Sequence, residues 1–134
     1  MIVLDASAVI ATLDDQDAHH RAALAIMRKA SLADQALLMH PVTLAEALVG
    51  VVDTEREAAT MAALEAREIV IEPFARADAA AVAHIGASTG LRMPDACVLS
   101  IAVETRGELA TFDVRLAREA RRLGIDVLGV DATP

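Results

Sequence analysis

Four acidic residues stand where a carboxylate could do chemistry. Asp5 closes the apolar run Met1-Ile2-Val3-Leu4, and Glu46 interrupts Leu44-Ala45-Glu46-Ala47. Asp95 follows Met93-Pro94, and Asp113 follows Thr111-Phe112. Each has an ordinary explanation, because acids near a helix start satisfy free N–H groups and suit the macrodipole. Thr43-Leu44-Ala45-Glu46 even has the spacing of a capping box. Together they ask for more, since Asp5 and Glu46 sit in otherwise apolar stretches. Two carboxylates about 4 Å apart repel by roughly 4 kcal/mol at an effective dielectric near 20, so a cluster needs protons or a cation. An all-carboxylate set, without a cysteine or a histidine pair, suits Mg²⁺ or Mn²⁺ better than Zn²⁺. The chemistry that fits is attack of water on a phosphodiester, with the ion activating the water and steadying the departing oxyanion.

The elements that must bring these acids together alternate along the chain. Short apolar strands are predicted at residues 1–5, with Asp5 as the last residue of the first, and at 36–39, 69–71, 109–111 and 127–130. Helices are predicted over 7–13, 16–29, 42–52, 54–67, 75–89, 95–105 and 113–123, with Gly90, Gly107 and Gly124 just past three of their ends. That alternation is an α/β protein: an α/β/α sandwich around a five-stranded, mainly parallel sheet, forming one domain over residues 1–134. In such a sheet every strand-to-helix turn lies on the carboxyl edge. Asp5, Glu46 and Asp113 therefore share that edge by topology. Asp95 joins them only if its helix, which follows another helix, starts there too.

Composition narrows the alternatives. The chain has 134 residues, 55% of them hydrophobic, and a formal net charge of −8. Charges interrupt every apolar run before the roughly 18 residues that a membrane span needs, so no membrane association is expected. No signal peptide is evident, and the lone Cys97 excludes a disulfide framework, which together lead us to expect a cytoplasmic protein. The acidity argues against a broad basic nucleic-acid surface, although not against an enzyme that meets nucleic acid through bound cations. With only Phe74 and Phe112 as aromatics, a base-stacking platform is not expected. The apolar excess suggests a face covered by a partner.

Leu4-Asp5-Ala6-Ser7-Ala8, Leu44-Ala45-Glu46-Ala47, Met93-Pro94-Asp95-Ala96 and Thr111-Phe112-Asp113 resemble the four acidic motifs of PIN-domain ribonucleases. Their order and spacing are most like those of VapC toxins of bacterial toxin–antitoxin pairs, and the resemblance covers essentially the whole chain. It implies an Mg²⁺- or Mn²⁺-dependent endoribonuclease, a homodimer, and neutralisation by a cognate VapB-like antitoxin. Carried over by position, Asp5, Glu46, Asp95 and Asp113 become the catalytic, metal-holding acids. Glu46 would hold the ion or orient the attacking water, and Ser7 and Thr111 match the accompanying hydroxyl residues. Many relatives carry another acid or Asn shortly after the last motif, whereas Val114-Arg115-Leu116 follows Asp113 here.

Arg92, three residues before Asp95, is a candidate phosphate contact. Arg115, Arg118, Arg121 and Arg122 line the last helix and read as a solvated face before they read as an RNA- or antitoxin-contacting one. His40 reads as packing or capping, and His19, His20 and His84 as surface or helix-packing residues. Cys97 reads as a small core residue. A phosphoacceptor receiver domain would also gather acids at a sheet edge, but it needs an acceptor Asp after the third strand and a late lysine. Here Glu72-Pro73 follows that strand and Lys29 is the only lysine. A catalytically inactive PIN-like binding module is the remaining alternative.

Overall fold

Strand β1 (Ile2–Leu4) lies at the centre of the sheet because all three of its residues are apolar and fully buried. The computed structural model, which describes residues 1–130, pairs β1 in parallel with β2 (Leu37–Met39) on one side and β4 (Glu108–Thr111) on the other. Strands β3 (Val70–Ile71) and β5 (Val127–Gly129) form the edges, giving the order β3-β2-β1-β4-β5 with every pair parallel. The chain runs outward from β1 through β2 to β3, then returns to the far side of β1. The switch point therefore lies between β1 and β4, where open α/β sheets form their crevice.

The period-two alternation of the strands divides the core between two faces. Val3, Leu38 and Leu109 pack on one side with Leu99 and Val98 of helix α6 (Met93–Thr105) and Leu116 of helix α7 (Val114–Arg122). Ile2, Leu4, Leu37, Met39 and Ala110 pack on the other. There they meet Val9 of α1 (Ala6–Leu13), Ile26 of α2 (His20–Leu32) and Leu64 of α4 (Arg56–Ala66). Helix α3 (Pro41–Leu48) leads from β2 at the carboxyl edge, and α5 (Ala79–Thr89) packs against α6. The α/β/α sandwich and five parallel strands are as the sequence predicts.

Several boundaries move, each for a local reason. Helix α2 starts at His20 instead of residue 16, because the Asp14 and Asp17 carboxylates accept from the Gln16 and His19 N–H groups and hold a turn. Helix α3 stops at Leu48, short of residue 52, where Val49-Gly50-Val51-Val52 is poor helix sequence. The segment predicted as helix from residue 75 opens with a 3₁₀ turn, Arg76–Asp78, with the Asp78 carboxylate accepting from the Ala75 N–H. Strand β3 is only two residues long and is exposed, as an edge strand can be. Among the described residues no helix is long and apolar enough to cross a membrane.

Gly129 ends β5 with φ +105°, and a Cβ there would run into the Thr111 carbonyl. It would also stand 3.1 Å from Phe112 Cε1. Gly129→Ala is expected to destabilise the protein by about 1–3 kcal/mol, read as a lower urea midpoint. An unchanged midpoint would show that the β4–β5 end is looser than described.

Candidate active site

Asp5 directly follows β1 and caps α1, so the centre of the sheet delivers its carboxylate to the switch point. It is only 4% exposed, and its carboxylate accepts three hydrogen bonds. Its Oδ1 accepts from the Ser7 hydroxyl at 2.7 Å and from the Ala8 N–H at 2.9 Å, and its Oδ2 accepts from the Thr111 hydroxyl. Those hydroxyls are themselves held from across the switch point. The Phe112 N–H donates to Ser7 Oγ at 2.9 Å, and the Asp113 N–H to Thr111 Oγ1 at 3.0 Å. A two-armed relay thus ties the carboxyl ends of β1 and β4 together through one buried carboxylate. Ser7 and Thr111 direct their protons at Asp5 in this arrangement.

Asp113 caps α7, its Oδ1 accepting from the N–H groups of Arg115 (2.9 Å) and Leu116 (3.1 Å). Glu46 is not part of a capping box. The cap of α3 is His40, whose Nδ1 accepts from the Val42 N–H at 3.0 Å, which leaves Thr43 inside the helix and Glu46 without a capping duty. Asp95 is the third residue of α6, whose start carries no side-chain cap.

Each of the other three acids interacts electrostatically with Asp95. Asp5 is raised above the usual carboxylate range, chiefly by burial, with a further push from Asp95 against its three hydrogen bonds. Glu46 is raised by burial and then by Asp95, with Arg92 opposing. Asp95 is raised by burial and then by Asp113, with Arg92 and Arg115 opposing. Asp95 is therefore in the field of the other three, and its helix does start at the shared edge.

Among the described residues, no three acidic, histidine or cysteine side chains close on a common point tightly enough to form a ready-made metal cage. The donor set still suits a hard cation. It is all oxygen, it is short of positive charge, and Mg²⁺ asks for only one or two carboxylates beside its waters. Asp5 offers about four acceptor positions, of which three are taken, leaving one on Oδ2. A cleft of about 520 Å³ lies elsewhere, at the amino edge between α2 and α4, and contains none of the four acids.

The remaining sequence candidates fall into place around this edge. Arg92 is exposed beside Glu46 and Asp95. Arg115 donates to the Gly90 carbonyl at 3.0 Å, pinning the turn that leads into α6 to the start of α7. Gly90 makes that turn as the left-handed C-cap of α5. Arg122 pairs with Glu119 and Arg121 donates to the Val130 carbonyl, so much of the arginine face is engaged locally. His40 packs on Phe74 with ring centroids 4.8 Å apart. Cys97 is buried, its thiol pushed up by burial and by Glu46. Sequence reasoning missed the Arg115–Gly90 clamp and the stacking of His19 on Phe112, at 4.4 Å between centroids. Both join residues far apart in the chain, and no spacing signals them.

The raised carboxyl of Asp5 fixes the sign of a pH effect. The unfolded chain releases this proton near the ordinary aspartate value of 3.8, while the folded protein holds it to higher pH. Ionisation of Asp5 therefore takes stability from the fold as pH rises through that window. In metal-free buffer Asp5→Asn is expected to gain stability relative to the parent as pH rises above the ordinary carboxylate range, with Mg²⁺ narrowing the gap by favouring the parent. Denaturant titrations at several pH values check this, and a pH-independent difference would contradict it.

Comparison with known proteins agrees with this architecture. A family model described as PIN domain matches residues 2–122. The fold is similar to that of VapBC2 from Rickettsia felis, solved with a promoter DNA fragment (TM-score 0.70, 14% identity, 95% of this chain and 97% of that one). It is similar to FitAcB from Neisseria gonorrhoeae (TM-score 0.67, 22% identity, 96% of each chain). It is also similar to VapC20 of Mycobacterium tuberculosis, described as a sarcin–ricin-loop-cleaving toxin (TM-score 0.68, 14% identity, 88% of this chain and 94% of that one). No curated protein matches the sequence. With the family model spanning nearly the whole sandwich and all four acidic motifs, the chain belongs to the PIN-domain family.

Proposed function

We propose that this protein is an Mg²⁺- or Mn²⁺-dependent endoribonuclease and the toxin of a VapBC-type toxin–antitoxin pair. The observation that carries the reading is the convergence on Asp95, which shares one edge and one electrostatic field with Asp5, Glu46 and Asp113. Asp5, Glu46 and Asp95 are each raised by burial and by a neighbouring acid, and such a site gains by taking up a cation. Asp5, Asp95 and Asp113 would hold the ion, and Glu46 would hold it or orient the attacking water. A bound divalent ion supplies a water of lowered pKa and stabilises the charge that develops on the phosphodiester oxygens.

The chain's own residues do the positioning. The Ser7–Thr111 relay fixes the Asp5 carboxylate so that it need not reorganise when an ion arrives. Arg92 and Arg115 are the positive charges nearest Asp95, and a substrate phosphate could meet them there. The overall acidity is then no obstacle, since RNA would be drawn to the ion and these two guanidiniums, not to a basic surface.

The toxin role is supported by the fold shared with VapC20 of Mycobacterium tuberculosis, described as a toxin, and with VapBC2 from Rickettsia felis. Exposed apolar side chains, among them Leu32, Val49, Val52, Met93 and Val114, support burial against a second copy or an antitoxin chain. Purified protein with total cellular RNA is expected to give discrete fragments in Mg²⁺ or Mn²⁺ and none in EDTA. Asp5→Asn should slow cleavage by roughly a hundredfold or more. Absence of cleavage by the folded, antitoxin-free protein would favour the inactive binding module instead. Cleavage surviving both EDTA and the substitution would place the site elsewhere.

A further inference from the structure

The stacked pair His19–Phe112 lies beside the acid cluster and is not needed by the metal site. The two rings are parallel to within 4°, with centroids 4.4 Å apart. Phe112 is fixed from below. It sits between Thr111 and Asp113, its N–H donates to Ser7 Oγ, and its ring is packed against the core that contains Leu4 and Ala110. Gly129 leaves room for the ring edge at the end of β5.

His19 is exposed, so one ring face covers Phe112 and the other is open to solvent. Its segment is held in place at several points. The Asp17 carboxylate accepts from the His19 N–H at 2.8 Å, and the neighbouring His20 Nδ1 lies 2.7 Å from the carbonyl of Ala11 at the end of α1. The result is a flat, pre-set π surface whose Phe112 half is the chain neighbour of Asp113 and is tied through Ser7 to Asp5.

We propose that the open face of His19, backed by Phe112, stacks a nucleobase of single-stranded RNA next to the scissile phosphate. The inference rests on the ribonuclease reading above and adds a positioning contact to it. Flipped or unpaired bases stack on His and Phe rings without regard to sequence. The surrounding charge favours a base over a phosphate at this spot, because Asp14, Asp15 and Asp17 all belong to the same segment. Those acids repel phosphates, while the ion site and Arg92 and Arg115 attract them. A strand laid across the carboxyl edge would thus put one base on His19 and its neighbouring phosphate on the metal. A count of phenylalanines alone gave no reason to expect such a platform, because half of it is a histidine.

The test uses the full chain and a set of mixed-sequence single-stranded RNA oligonucleotides, each with one abasic position. Binding is measured in Ca²⁺, with the RNA shown intact afterwards, and cleavage of total RNA in Mg²⁺ is measured in parallel. For the parent, abasic substitution at one position is expected to weaken binding about tenfold, the scale of one base–aromatic stack. In His19→Ala every oligonucleotide should bind alike and about tenfold more weakly, and His19→Phe should restore the position-dependent loss. In cleavage by His19→Ala, a rise in KM larger than the fall in kcat is expected of a positioning contact. If the parent cleaves RNA and Asp5→Asn does not, yet His19→Ala binds every oligonucleotide as the parent does, stacking is overturned and the nuclease stands. If the parent neither binds nor cleaves RNA, both readings fall.

Discussion

The structure depends on keeping a charged carboxylate almost wholly out of water at the centre of its sheet. Burying an ion unaided is costly, and an unpaired donor or acceptor there costs as well. Asp5 is sustained by a set of donors that reach it from both sides of the switch point: Ser7 and Ala8 from its own helix start, and Thr111 from the neighbouring strand. The same hydroxyls accept from the backbone of Phe112 and Asp113, so each is oriented by the strand end opposite. Local hydrogen bonding is thereby turned into a tertiary constraint. β1 and β4 cannot slide past one another without taking the Thr111 donor away from Asp5.

The constraint leaves an imbalance. Hydrogen bonds lower the pKa of Asp5, but burial outweighs them, and Asp95 adds its repulsion. Asp95 and Glu46 are raised as well, and Arg92 and Arg115 offset only part of the negative field. A protein selected for stability alone would have little reason to assemble such a group. A protein that takes up a divalent ion at this edge converts the imbalance into affinity.

Much of this was legible in the sequence because it is written in strong local signals. Ile2-Val3-Leu4 and Leu37-Leu38-Met39 are short apolar runs, and Pro94 and Gly90 punctuate the helices where they stand. The order of elements then required that Asp5, Glu46 and Asp113 share an edge. Less could be read where local chemistry competes with periodicity. Asp14 and Asp17 hold the backbone in turns and delay α2, and Thr43 has the spacing of a capping residue although His40 occupies that role. Contacts between distant segments were not legible at all. Neither the Arg115 guanidinium on the Gly90 carbonyl nor His19 on Phe112 has a sequence pattern, since each is decided by how helices pack over the sheet edge.

The central claim is that Asp95 and the acids around it form a single cation site. Titration of the RNA-free protein with Mn²⁺, followed by the electron paramagnetic resonance signal of the free ion, tests this without reference to any substrate. The account predicts saturable binding to the parent and an affinity lower by about tenfold or more in Asp95→Asn, with both proteins folded. Equal affinity in the two proteins, or no saturable binding to the parent at millimolar Mn²⁺, would contradict it.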